Sequence, residues 1–218
     1  MTDQNQKFNR KRKARALLAG GLVLGIGAAV TLAAWTDNVY GWSDFGTGDD
    51  TWNIQGDFSP TGTDAWEEAA VTPGSPFTFP AARFDLTPGD TVYAPIRLRL
   101  QPGQALNAAV TLNGAVPSPA APPAPQGDPA LQEALQYTVT QGGTSTACTA
   151  GTPTGSVIAT GSLDTSSAPN AITLLADATP VPLCFAVTLP DGSPTTLSGL
   201  NTGRVVWEFE GVSVEPAP

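Results

Sequence analysis

Val92-Tyr93-Ala94-Pro95-Ile96-Arg97-Leu98-Arg99-Leu100 alternates with a period of two. Val92, Ala94, Ile96, Leu98 and Leu100 share one face, and Tyr93, Pro95, Arg97 and Arg99 share the other. Successive side chains of a strand point to opposite faces, so this is a strand with one face in a core and one in water. Pro95 has no N–H to give a ladder and marks an edge or a bulge. Two similar turns bound the stretch, Leu86-Thr87-Pro88-Gly89-Asp90 and Leu100-Gln101-Pro102-Gly103-Gln104. Pro-Gly at the centre suits a type II turn, because proline fixes φ near −65° and glycine accepts a positive φ. Strands over residues 82–86 and 105–112 are expected to flank it as a meander.

The same reading extends outward. Leu135, Tyr137 and Val139 alternate with polar neighbours, and residues 156–160 make a short strand. Leu183, Phe185, Val187 and Leu189 share a face, with Cys184 pointing the other way. Val205, Trp207 and Phe209 form an aromatic-rich face opposite Glu208 and Glu210. No helical periodicity is sustained past residue 34, apart from one or two turns expected between Pro129 and Gln136. The stretch 116–129 holds Pro117, Pro119, Pro122, Pro123, Pro125 and Pro129 and is neither helix nor central strand. It is read as a long loop within one domain, since each half alone has few strands for a core. The fold expected is all-β: an antiparallel β-sandwich, jelly-roll-like, of eight to ten strands.

A signal helix precedes it. Lys7, Arg10, Lys11, Arg12, Lys13 and Arg15 stand ahead of an uncharged apolar run from Ala16 to Ala34, and every lysine of the chain lies in that basic head. Cations that stay inside and an apolar run that enters the membrane are the parts of an export signal. The run is long enough to span a bilayer, but Gly20, Gly21, Gly25 and Gly27 weaken it as a helix. Ala33-Ala34 offers small residues to a peptidase, although Leu32 breaks a strict A-x-A pattern. Residues 1–34 are therefore expected to be a signal peptide cut between Ala34 and Trp35, in preference to a retained anchor. Residues 35–218 form the exported domain, secreted or at the cell surface, with the membrane involved only before cleavage.

The exported part carries four arginines against eighteen acidic residues, 4 − 18 = −14. Such a surface repels nucleic acid and anionic lipid. Its two cysteines, Cys148 and Cys184, are expected to form a disulfide, the default for a pair outside the cell. Closing that loop stabilises the fold by about 3.8 kcal/mol if chain entropy dominates.

The chain has no histidine. That removes the Ser-His-Asp triad, the H-E-x-x-H zinc site and most histidine-based acid/base work. Neither a G-x-S-x-G elbow nor a Walker A loop is present. The adjacent acids Asp49-Asp50 and Glu67-Glu68 have the chemistry for a glycosidase, yet nothing in the sequence makes them converge, and no enzyme is expected. No cofactor is expected either. The loop from Ser43 to Asp50 has the oxygen ligands calcium takes, at a spacing that matches no EF-hand. Trp35, Trp42, Trp52 and Trp66 are read as core aromatics, with sugar-stacking platforms as the alternative.

A family resemblance adds to this. Thr31-Leu32-Ala33-Ala34-Trp35-Thr36-Asp37 resembles the cleavage boundary of exports processed by the SipW-type signal peptidase. Asn53-Ile54-Gln55-Gly56-Asp57-Phe58 sits where those proteins carry an early strand, and Leu86-Thr87-Pro88-Gly89-Asp90 is similar to their L-x-P-G-D turn. Ala147-Cys148-Thr149, Leu183-Cys184-Phe185-Ala186-Val187-Thr188-Leu189-Pro190 and Val206-Trp207-Glu208-Phe209 resemble the alternate signal-mediated exported proteins of actinobacteria, a TasA/camelysin-like group. The resemblance implies a structural subunit of the biofilm matrix or cell surface, joined into fibres or homo-oligomers by an N-terminal strand donated to the next copy. That donor falls between Trp35 and Phe58, with Trp52, Ile54 and Phe58 as its apolar side chains. The peptidase activity described for camelysin relatives is not carried over, because no histidine is present. No sortase motif ends the chain, so wall attachment is not expected. The signal peptidase is the partner during export. A monomeric adhesin for glycans or proteins is the competing function. For a subunit of charge −14, assembly is expected to improve with salt, low pH or calcium.

Overall fold

The structure, a computed structural model, describes residues 52–59, 64–71, 73–117, 127–163 and 167–216. Eight strands follow in chain order: β1 (Ile54–Asp57), β2 (Thr91–Leu100), β3 (Asn107–Pro117), β4 (Gln136–Gln141), β5 (Ser156–Ser162), β6 (Ala168–Leu174), β7 (Val181–Thr188) and β8 (Val205–Val214). Two short helices, α1 (Pro129–Ala134) and α2 (Ser145–Thr149), flank β4. The strands build a five-stranded sheet, β1-β2-β7-β4-β5, and a three-stranded sheet, β6-β3-β8. Every pairing is antiparallel. This is the all-β sandwich that the alternation predicts.

The core follows from that alternation. Val92, Ala94, Ile96, Leu98 and Leu100 of β2 are all buried, as are Tyr137 and Val139 of β4 and Leu183, Phe185 and Val187 of β7. The opposite sheet contributes Val110, Leu112, Ile172 and Leu174. Each such side chain withdrawn from water contributes about 1.5–3 kcal/mol. Both Pro-Gly turns form, with φ of 95° at Gly89 and 94° at Gly103. Asp90 closes the first by accepting from the Thr87 N–H and hydroxyl, both at 2.7 Å. These bonds, the backbone one foremost, hold the Asp90 carboxyl below its ordinary value. A depressed carboxyl stabilises the fold above its unfolded pKa, and the effect is lost as pH falls through the folded value.

The meander around β2 does not form. Residues 81–84 make a 3₁₀ turn, and β3 lies in the opposite sheet. Alternation identifies the buried face of a strand but not its neighbours. β2 and β3 bury their apolar faces in one core from opposite sheets, and the Pro102-Gly103 turn carries the chain between those sheets. The neighbours of β2 are β1 and β7. The proline-rich stretch is a connection within this one sandwich. β3 runs through Pro117, residues 118–126 lie outside the described residues, and α1 starts at Pro129 with Asp128 capping the Ala130 N–H at 2.9 Å.

Strand order exposes a missing pair. An eight-stranded hairpin wrapped into a jelly roll pairs first with eighth, second with seventh, third with sixth and fourth with fifth. The β2–β7, β3–β6 and β4–β5 pairs are present. The β1–β8 pair is not. β1 lies on β2 instead, with Ile54 opposite Leu100 and Asp57 opposite Arg97.

Candidate functional site

The unmade pair leaves β8 with one open side. β8 pairs with β3 from Asn107↔Val214 to Pro117↔Val205, and no other strand among the described residues lies along it. At ten residues it is a long edge. It carries no proline or lysine to blunt it. Glu208 and Glu210 stand on its outer face and accept from the Asn113 amide at 3.0 and 3.1 Å.

Beside this edge the core is incompletely covered. Trp207 stacks on Phe77 at 5.1 Å and meets Phe185 at 5.3 Å and Tyr137 at 6.2 Å. Phe77 in turn stacks on Phe58 at 5.5 Å. Phe185 and Tyr137 are fully buried, but Trp52, Ile54, Phe58, Phe77, Phe79, Trp207 and Phe209 are only half-buried. The indole N–H groups of Trp52 and Trp207 are shielded from solvent and have no acceptor among the described residues. An unpaired buried donor costs about 1–3 kcal/mol. A strand laid along β8 would bring both carbonyl acceptors and apolar side chains to this row.

A latch ties β1 to β2. Asp57, fully buried, takes the Arg97 guanidinium, which also reaches Asp64 at 2.9 Å. Burial alone would lower the Arg97 pKa; the hydrogen bonds and charges of Asp57 and then Asp64 outweigh it and hold the guanidinium above its ordinary value. Trp66 lies under both Arg99 and Arg97, at 4.1 and 5.1 Å from ring centre to guanidinium carbon. Gly56 and Glu67 exchange two backbone hydrogen bonds, and Asn53 donates to Glu68 at 3.0 Å. Glu67 and Glu68 thus belong to a strap of residues 64–68 laid along β1. Among the described residues no three His, Cys, Asp or Glu side chains gather to hold a metal ion.

The other predicted positions fall as follows. Cys148 and Cys184 are disulfide-bonded, both buried, with Cα atoms 5.5 Å apart. Cys184 points away from the core, so the bond ties α2 to the outer face of the five-stranded sheet. Ile54 lies in β1, Phe58 stacks on Phe77, and Trp52 packs with Ile54 over Gly211 of β8. All three proposed donor side chains are therefore seated in their own subunit. Ala34, Trp35, Trp42, Asp49, Asp50, the 43–50 loop and the signal helix lie outside the described residues. The open edge and the indole donors had no signal in the sequence, because strand pairing is decided far along the chain. No protein-family model matches this sequence, and none of the curated proteins is similar enough to count as a relative.

Proposed function

We propose that the exported part is a structural subunit of the cell surface or extracellular matrix, and that it assembles by accepting an extended segment of a neighbouring copy along β8. The unmade β1–β8 pair, flanked by half-covered aromatics, carries this reading. An open edge supplies main-chain hydrogen bonds, and uncovered core supplies pockets for alternate side chains.

Chain length favours a neighbour over the subunit's own segment. Ile54 lies beside Gly211, and Phe58 joins through Phe77 to Trp207, so β1 runs opposite to β8. Trp52 therefore sits at the end of the sandwich where β8 finishes. Residues 35–51 would have to run the length of β8 and return to lie antiparallel on their own subunit. Ten residues of strand span roughly 33 Å, and the round trip needs about twenty residues. Cleavage after Ala34 leaves seventeen, from 35 to 51. On a second copy no return is needed. The adhesin reading has less support, since Trp52, Trp66 and Trp207 all pack against other side chains.

Electron microscopy of the secreted protein tests this. Filaments are expected, with a yield that rises with ionic strength as the charge of −14 is screened. Deleting residues 35–51 should abolish them while the unfolding transition persists, and a peptide of residues 35–51 should bind the shortened protein. Filaments indifferent to the deletion would refute strand donation.

A further inference from the structure

We propose that β5, on the opposite side of the sandwich, is a second self-association surface, on which β5 of one copy pairs antiparallel with β5 of another. Three observations meet there. β5 ends the five-stranded sheet, and β4 is its sole ladder partner among the described residues. Its Val157 is 61% exposed, the most exposed large apolar side chain in any strand described. Between β5 and the neighbouring edge of β6 runs a shallow groove of about 380 Å³, lined by Val157, Ile158, Ala159, Pro169 and Ala171 among others.

Charge identifies the occupant as a second copy. From Ala134 to Ala176 the single charged residue is Asp164, in an exported chain that otherwise carries seventeen acids and four arginines. β4, β5, β6 and α2 all come from this stretch. Two copies of charge −14 repel, and the repulsion is least where neither presents charge. Strand edges are ordinarily guarded by charge, proline or a bulge. β6 has Pro169 and a left-handed Asn170, φ 49°, on its edge. β5 has neither. Its one irregularity is a bulge at Ile158, after which Ala159 to Ser162 run in register with β4.

Antiparallel pairing of identical strands is self-complementary and closes as a two-fold dimer. The surface is independent of β8, which lies on the other side with β1. Val157 and Ile158 of each copy would then flank the other's groove.

The test uses the secreted protein carrying Val212→Lys, which charges the β8 edge and separates this contact from strand donation. Sedimentation should show a dimer, and adding Val157→Lys should weaken it about tenfold or more. A nitroxide on Thr160→Cys should give a short interspin distance, and one on Thr111→Cys, on the outer face of the other sheet, a long one. A Val212→Lys protein that stays monomeric at millimolar concentration overturns the proposal. So does a dimer unmoved by Val157→Lys, or one in which the Thr111 labels are the closer pair.

Discussion

Phe185→Ala should lower the unfolding free energy by about 3–5 kcal/mol, the range for large aromatic deletions in a closed core. Phe185 has no exposed surface and sits in the middle of β7, opposite Ala94 of β2 and Val139 of β4. Its ring meets Phe77 at 5.0 Å, Trp207 at 5.3 Å and Phe209 at 6.2 Å. Removing it takes a partner from three other rings at once, and the strands on both sides hold the cavity open. For a domain whose whole stability is typically about 5–15 kcal/mol, the loss is large. Urea unfolding followed by tryptophan fluorescence would show the midpoint falling with an unchanged slope. A loss under about 1.5 kcal/mol would mean that the half-covered aromatics beside β8 slide in to refill the site, and that this side of the core is softer than its packing indicates.

Replacing both Cys148 and Cys184 by alanine should cost about 3.8 kcal/mol in the chain-entropy treatment, for a separation of 36 residues. The effect should also have a place. α2 has five residues, with Thr144 capping the Ala147 N–H at 3.1 Å. So short a helix does not persist alone in water. It rests on the outer face of β2 and β7, where the disulfide joins it to the sheet. Hydrogen exchange should therefore quicken first at residues 145–150, with the central strands following only as global stability falls. Uniform loss of protection, with α2 no worse than β7, would show that the packing of α2 holds without the bond.

How far the sequence could be read depended on how local each cause was. The facing of β2, β4, β7 and β8 was written in single alternating stretches, and the Pro-Gly turns in four residues each. The Cys148–Cys184 pair followed from there being two cysteines in a chain whose N-terminus reads as an export signal. Which strands lie side by side was not local. β2 sits between β1 and β7, which come from far apart in the chain, so residues 82–86 and 105–112 were placed beside it for want of any signal against them. The donor positions Trp52, Ile54 and Phe58 came from resemblance, and the fold employs them in its own core. Glu67 and Glu68, weighed as acids for catalysis, belong to a strap over β1. The run from Ala134 to Ala176, with Asp164 its single charge, was visible in the sequence, but it acquired meaning only when β5 proved to be an edge.

The first described residues and the last strand share one end of the sandwich, with Trp52 beside Gly211 and β8 finishing at Val214. Under the proposed assembly only the free N-terminal tip of an antiparallel donor reaches this end, so an affinity tag, fluorophore or passenger domain appended beyond Glu215 would hang clear of the neighbour's body. The Asp191-Gly192 turn lies at the other end, three residues past Thr188, which pairs with Thr91 at the start of β2. Gly192 has open space around it and a φ of 79°. The donor's own subunit joins at this end, where β8 starts, so an epitope inserted at Gly192 would stand in the joint and obstruct growth.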